Sequence, residues 1–159
     1  MTDKEICKKA IEEFIEFCCD NLSLNEPPKI QVDPSKLHSP TMQAAYTSEG
    51  ILYLREIPDG KPDLMLFIAI AHELRHAWQI QTDPEYWCEP HKDISECANI
   101  AEYCAQREEI DANAFAMFVC VALWKLEPQF ESLDDKTFRA IYERSKQIAA
   151  ELCDPKSQE

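Results

Sequence analysis

Glycine is almost missing from this chain, with 2 in 159 residues, so the breaks between elements fall mainly to its 10 prolines. No stretch approaches the ~20 consecutive apolar residues that a bilayer span requires. The opening Met-Thr-Asp-Lys-Glu begins an amphipathic segment and not a secretion signal, so a cytoplasmic location with no membrane partner is expected. Positive charge is scarce: Lys+Arg 16 against Asp+Glu 30 gives −14 at pH 7, a field that repels nucleic acid and anionic lipid. No nucleic-acid partner is expected. The 8 cysteines contain no CxxC pair, which excludes the usual zinc-cluster and dithiol patterns. Cys97, Cys104 and Cys120 fall where core faces of helices are expected, and a reduced cysteine there acts as a small hydrophobe, so free thiols are expected throughout. Repeats, low-complexity tracts and linkers are absent too. A single domain over residues 1–159 is the expectation, long enough to bury a core without staples.

What the chain does have is helical periodicity. Residues 3–23 place Ile6, Ala10, Ile11, Phe14, Phe17, Cys18 and Leu22 on one stripe, ending at Pro27-Pro28. Short β-prone runs follow at 29–32, 43–47 and 51–55, with a turn at Ser48-Glu49-Gly50, and they predict a small antiparallel three-stranded sheet. A helix from Leu64 to Gln81 comes next, with Pro62 suited to its first turn. A loop then carries Tyr86, Trp87 and His91. Helical spacing runs from Ile94 to Leu126 in one piece or two, and a last helix begins with Ser132 and Asp135 in capping-box relation. Phe138, Ile141, Ser145, Ile148 and Leu152 share one face of it. The fold class is therefore α+β, mainly helical, with the sheet preceding the third helical run's predecessor at 64–81.

That helix contains His72-Glu-Leu-Arg-His76. Residues four apart on a helix stand on one face, so both imidazoles can hold one metal ion. Glu73, on the adjacent flank, can take a proton from a water at that metal. The rest of the helix, with Phe67, Ile68, Ala71, Leu74, Ala77, Trp78 and Ile80, is apolar nearly all round and so is expected to be buried. Polar groups on a buried helix need partners, and a metal supplies them.

A catalytic zinc takes three protein ligands and leaves one position open. The third is sought on a later helix, where residues 109–113 read Glu-Ile-Asp-Ala-Asn. Glu109 is the candidate, with Glu108 its nearest competitor. A solvated acidic face made of Glu108, Glu109 and Asp111 is the bland alternative. Asn113, one turn beyond Glu109, can accept the second ring N–H of a ligand histidine.

The run Ala69-Ile-Ala-His-Glu-Leu-Arg-His-Ala77, the strand Ile51 to Arg55, and Glu109-Ile-Asp-Ala-Asn-Ala-Phe-Ala116 together resemble the gluzincin zinc metallopeptidases, and more narrowly the ImmA/IrrE-like family. The resemblance covers about residues 50–116. It implies a zincin-like domain binding Zn2+ through His72, His76 and Glu109, with Glu73 as general base and an extended peptide docked along the edge strand preceding the HExxH helix. Members of that family often cleave a transcriptional repressor, so the implied partner is a protein or peptide substrate of that kind. Two departures stand out: Arg75 where the family commonly has a small residue, and Met117-Phe-Val-Cys-Val121 after the second motif.

Two other functions compete. One is a non-catalytic zincin-fold binding or regulatory protein, an antirepressor or toxin–antitoxin partner. Against it stands the presence of all four residues the chemistry needs. The other is a peptide deformylase, which also uses HExxH but takes an upstream cysteine as third ligand. No cysteine lies between Cys19 and Cys88.

Overall fold

The computed structural model describes residues 1–130 and 133–154. By its internal packing the chain divides into two compact units, Met1–Gln81 and Thr82–Glu159. The architecture is α+β and mainly helical, as the periodicity predicts.

The first unit opens with α1 (Asp3–Leu22), started by a capping box in which Thr2 accepts from the Glu5 N–H and Glu5 reaches back to Thr2. Its buried face is Cys7, Ile11, Phe14, Ile15, Cys18, Cys19 and Leu22. This stripe is rotated from the expected one: Ile6 is 50% exposed and Cys7 fully covered. Ser23 ends the helix in the left-handed conformation.

The sheet consists of β1 (Lys29–Val32), β2 (Ala44–Tyr46) and β3 (Ile51–Leu54), in the order β1-β3-β2. It corrects the expectation of an all-antiparallel sheet, because β1 pairs with β3 in parallel and only β2 pairs with it antiparallel. The strand positions were legible from composition, but strand direction is set by the connections. Ser48, Glu49 and Gly50 close a tight hairpin between β2 and β3, with Gly50 at φ 80 donating to the Thr47 carbonyl. Between β1 and β2 the chain takes the longer route through a 3-10 turn at Pro34–Lys36. Arg55, just past the end of β3, holds this connection by donating to the carbonyls of Ser39 and Met42 at 2.6 and 2.8 Å. A connection of that length lets β3 insert between its neighbours. Leu52 and Leu54 of this central strand are fully buried, whereas all of β1 is exposed.

The unit closes with α2 (Leu64–Thr82), which begins two residues after Pro62, its first turn capped by Asp63. Leu66, Ile70, Ala71, Leu74 and Ala77 are buried, and Phe67 meets Phe14 of α1 edge to face at 4.7 Å. At its end the Gln81 amide ties to Asn25 and Ser23 beyond α1. Arg75 is also buried, its guanidinium 3.6 Å from the centre of the Trp78 ring.

The second unit begins with a short helix where a loop was expected: α3 (Pro84–Cys88), capped by Asp83. The expected helical run from Ile94 is a 3-10 turn (Ile94–Glu96), then α4 (Ile100–Cys104) and α5 (Arg107–Trp124). Neither Gly nor Pro makes the break. Gln106 is extended, and its side-chain amide brackets Lys92, accepting from its N–H at 2.6 Å and donating to its carbonyl at 2.9 Å. Those bonds hold the backbone out of helical geometry and start α5 afresh, which puts Glu108 and Glu109 in its first turn, where the helix dipole favours acids. α5 is buried on most sides and packs against α6 (Asp135–Cys153), which buries Thr137, Ile141, Ser145 and Ile148. The side chain that caps α6 is Asp134, accepting from the Thr137 N–H. The expected capping residue Ser132 lies outside the described residues.

All eight cysteines are free thiols. Burial pushes Cys19 and Cys120 up to about 11. Among the described residues no helix is long and apolar enough to cross a membrane.

Candidate metal centre

α2 presents its two histidines as the spacing requires. The Nε2 atoms of His72 and His76 face each other at 3.0 Å, close to the roughly 3.3 Å that separates two nitrogens on one tetrahedral zinc. On the far side of its ring, His76 donates from Nδ1 to the side-chain amide oxygen Oε1 of Gln79 at 2.8 Å. That bond places the proton on Nδ1 and so the lone pair on Nε2, the nitrogen facing His72. Gln79 is itself 1% exposed, so its orientation is set by packing.

Glu109 completes the group. His72, His76 and Glu109 each offer one ligand atom, and all of these lie within 4.8 Å of one another. The histidines are half-buried and the glutamate is 3% exposed. Two imidazole nitrogens and one carboxylate oxygen form a donor set that could hold a metal ion.

The acidic residues around Glu109 are not a solvated face. Glu108, Glu109 and Asp111 are all buried. Glu108, the competing ligand, accepts from His91 Nδ1, and Asp111 accepts from Arg144 Nε at 2.7 Å. Arg144 reaches on to Glu151 at 2.7 Å. A buried carboxylate needs such a partner. Both pairings escape a reading of the sequence because the partners are far apart along the chain. Asn113, the expected acceptor for a ligand ring, stands half-buried on α5, one turn beyond Glu109. The acceptor seen on His76 is Gln79, to which the sequence alone assigns no role. Its signal was the three-residue offset from His76.

Glu73 is anchored from the sheet. Its Oε2 accepts the backbone N–H of Tyr46 at 2.8 Å. In the β2–β3 ladder Thr47 donates to Ile51 and Arg55 to Gln43, so alternation turns the main-chain groups of Ala44 and Tyr46 away from β3. The anchoring N–H is therefore an outward-facing donor of an edge strand. This corrects the expectation that the strand preceding the HExxH helix is an edge: β3 is paired on both sides, and β2 is the edge beside Glu73.

Compared with protein-family models, with curated proteins and with solved structures, the chain matches none of them, so the arrangement of His72, Glu73, His76 and Glu109 has to be interpreted on its own chemistry.

Proposed function

We propose that this chain is a zinc-dependent endopeptidase of the gluzincin type, most similar in its motifs to the ImmA/IrrE-like family. The observation that carries the reading is the convergence of His72, His76 and Glu109 within 4.8 Å, with Glu73 on the same helix as the histidines. Nitrogen and oxygen donors of this kind, three in number, suit a catalytic zinc, which keeps a fourth position for substrate or water. When bound, zinc supplies Lewis acidity that polarises a carbonyl and makes water a stronger acid.

The chain's own groups do the rest. The Tyr46 N–H holds one oxygen of Glu73, which leaves the other to take a proton from the attacking water and to return it to the departing amine nitrogen. Gln79 keeps the His76 ring in the tautomer and orientation of a ligand. An extended peptide lies beside β2 and pairs through the Tyr46 carbonyl, the Tyr46 N–H being held by Glu73, which sets its carbonyls beside that carboxylate. Main-chain pairing of this sort selects a protein or peptide substrate, a transcriptional repressor being the candidate that the family resemblance supplies.

The test is metal content by mass spectrometry together with cleavage of a proteome-derived peptide library. Glu73→Gln is expected to retain zinc and lose turnover, and Glu109→Ala to lose most of both. Equal cleavage by wild type and Glu73→Gln would refute the enzyme reading. Stoichiometric zinc in a wild-type protein that cleaves no peptide would instead favour a non-catalytic, regulatory zincin-fold protein.

A further inference from the structure

A recess lies wholly within the unit Thr82–Glu159. It has a volume of about 560 Å3 and is walled by Tyr86, Trp87, Ile110, Arg107, Arg144 and Gln147, with Ala105 and Asp111 completing it. That size is typical of a small-ligand site. In a chain of net charge −14, the presence of two guanidinium groups in one recess stands out.

The two arginines are not equivalent. Arg144 is engaged, with Nε on Asp111, Nη1 shared between Glu151 and Gln147, and Nη2 directed to Glu151. Arg107 lies over the Tyr86 ring at 4.0 Å and gives Nη1 to the Tyr86 carbonyl. Among the described residues no carboxylate pairs with it, so its remaining N–H donors are available. Among the described residues the Gln147 amide nitrogen is available too, since only its oxygen is used, by Arg144. Behind these donors the wall is apolar: Trp87, set edge-on to Tyr86 at 4.8 Å, with Ile110 and Ala105.

We propose that this recess binds a carboxylate carried on an apolar or aromatic body, the chemistry shared by the C-terminal residue of a peptide and by a small aryl or alkyl acid. The charge on its walls sets the class. One guanidinium is unmatched, which suits a single negative charge, and its planar fork suits the two oxygens of a carboxylate. A phosphate dianion would meet the Asp111 carboxylate in the same wall, with no second free cation to offset it. The apolar side takes the body of the ligand through Trp87 and Ile110. Nothing in this site depends on the metal ligands or on Glu73, so it stands whether or not the chain is a peptidase.

The experiment is a titration of the 15N-labelled full chain with N-acetylphenylalanine, following the indole N–H resonance of Trp87, assigned by its loss in Trp87→Phe. Saturable shifts of that resonance are expected, with N-acetylphenylalanine amide at least ~10-fold weaker because it lacks the charge that Arg107 reads. Arg107→Gln, at an exposed position, should keep the wild-type spectrum elsewhere and lose affinity by a similar factor, and Arg107→Lys should restore part of it. Glu73→Gln should bind as wild type does. A hexapeptide ending in free Phe separates the sources: tighter binding than the N-acetyl amino acid assigns the site to chain termini, and equal or weaker binding assigns it to small acids. The proposal is overturned if the amide binds as well as the acid, if Arg107→Gln binds unchanged, or if phenyl phosphate outcompetes N-acetylphenylalanine.

Discussion

The two helices that supply the candidate ligands do so by different means. On α2 the geometry is local: His72, His76 and Gln79 are spaced so that one helical surface sets both ring positions and one tautomer. On α5 it depends on distant chain. Glu108, Glu109 and Asp111 are crowded into the first turns of a buried helix, and His91 and Arg144, from elsewhere in the sequence, take up Glu108 and Asp111. Local geometry survives many changes around it. Geometry that depends on distant partners costs stability when one of them is lost.

The sharpest way to break this contrast is to remove function from α2 without touching its structure. Glu73→Gln is expected to lower kcat by on the order of 10²–10⁴, the usual worth of a general base, with zinc content and thermal midpoint unchanged. On α5 the largest effect should instead appear in stability. Arg144→Met leaves the buried Asp111 carboxylate without its guanidinium, and a loss of about 3 kcal/mol is expected from urea unfolding midpoints, with the zinc-binding stoichiometry of the folded protein retained. Gln79→Met returns the question to α2: it removes the acceptor on Nδ1 of His76, and zinc affinity should fall by roughly 10–100-fold in a chelator competition.

The smallest expected effect is in the thiols. Cys19 and Cys120 are raised to about 11 by burial, so at pH 8 a disulfide reagent should label exposed Cys88 and Cys153 first. The folded chain holds these two protons more tightly than the unfolded chain does. Their contribution to stability is therefore complete below the ordinary thiol range near 9 and declines as pH rises from there towards 11. A thermal midpoint that held steady across that window would contradict the burial of these thiols.

Local information is what the sequence made legible. The HExxH helix, the hairpin turn at Gly50 and the face of α6 all follow from spacing over a few residues. So does the Glu109 motif, once a third ligand is sought. The parallel pairing of β1 was not legible, because it depends on where the connection 33–43 is held, and that is decided by Arg55. Nor was the break between α4 and α5: Gln106 is an ordinary helix former, and it leaves helical geometry because Lys92, fourteen positions away, offers both of its backbone groups. The carboxylates at 108, 109 and 111 look like a wet surface in composition and are dry in the fold.

The bond from Tyr46 to Glu73 has a consequence for solubility as well as for chemistry. An edge strand with open donors is a template on which other copies of a chain can stack, and proteins commonly guard such edges with charge. Here a carboxylate already occupies an outward donor of β2. The same side chain that serves as the proposed base therefore discourages the protein from pairing with itself, and replacing it with alanine should expose that edge to self-association, visible as concentration-dependent light scattering.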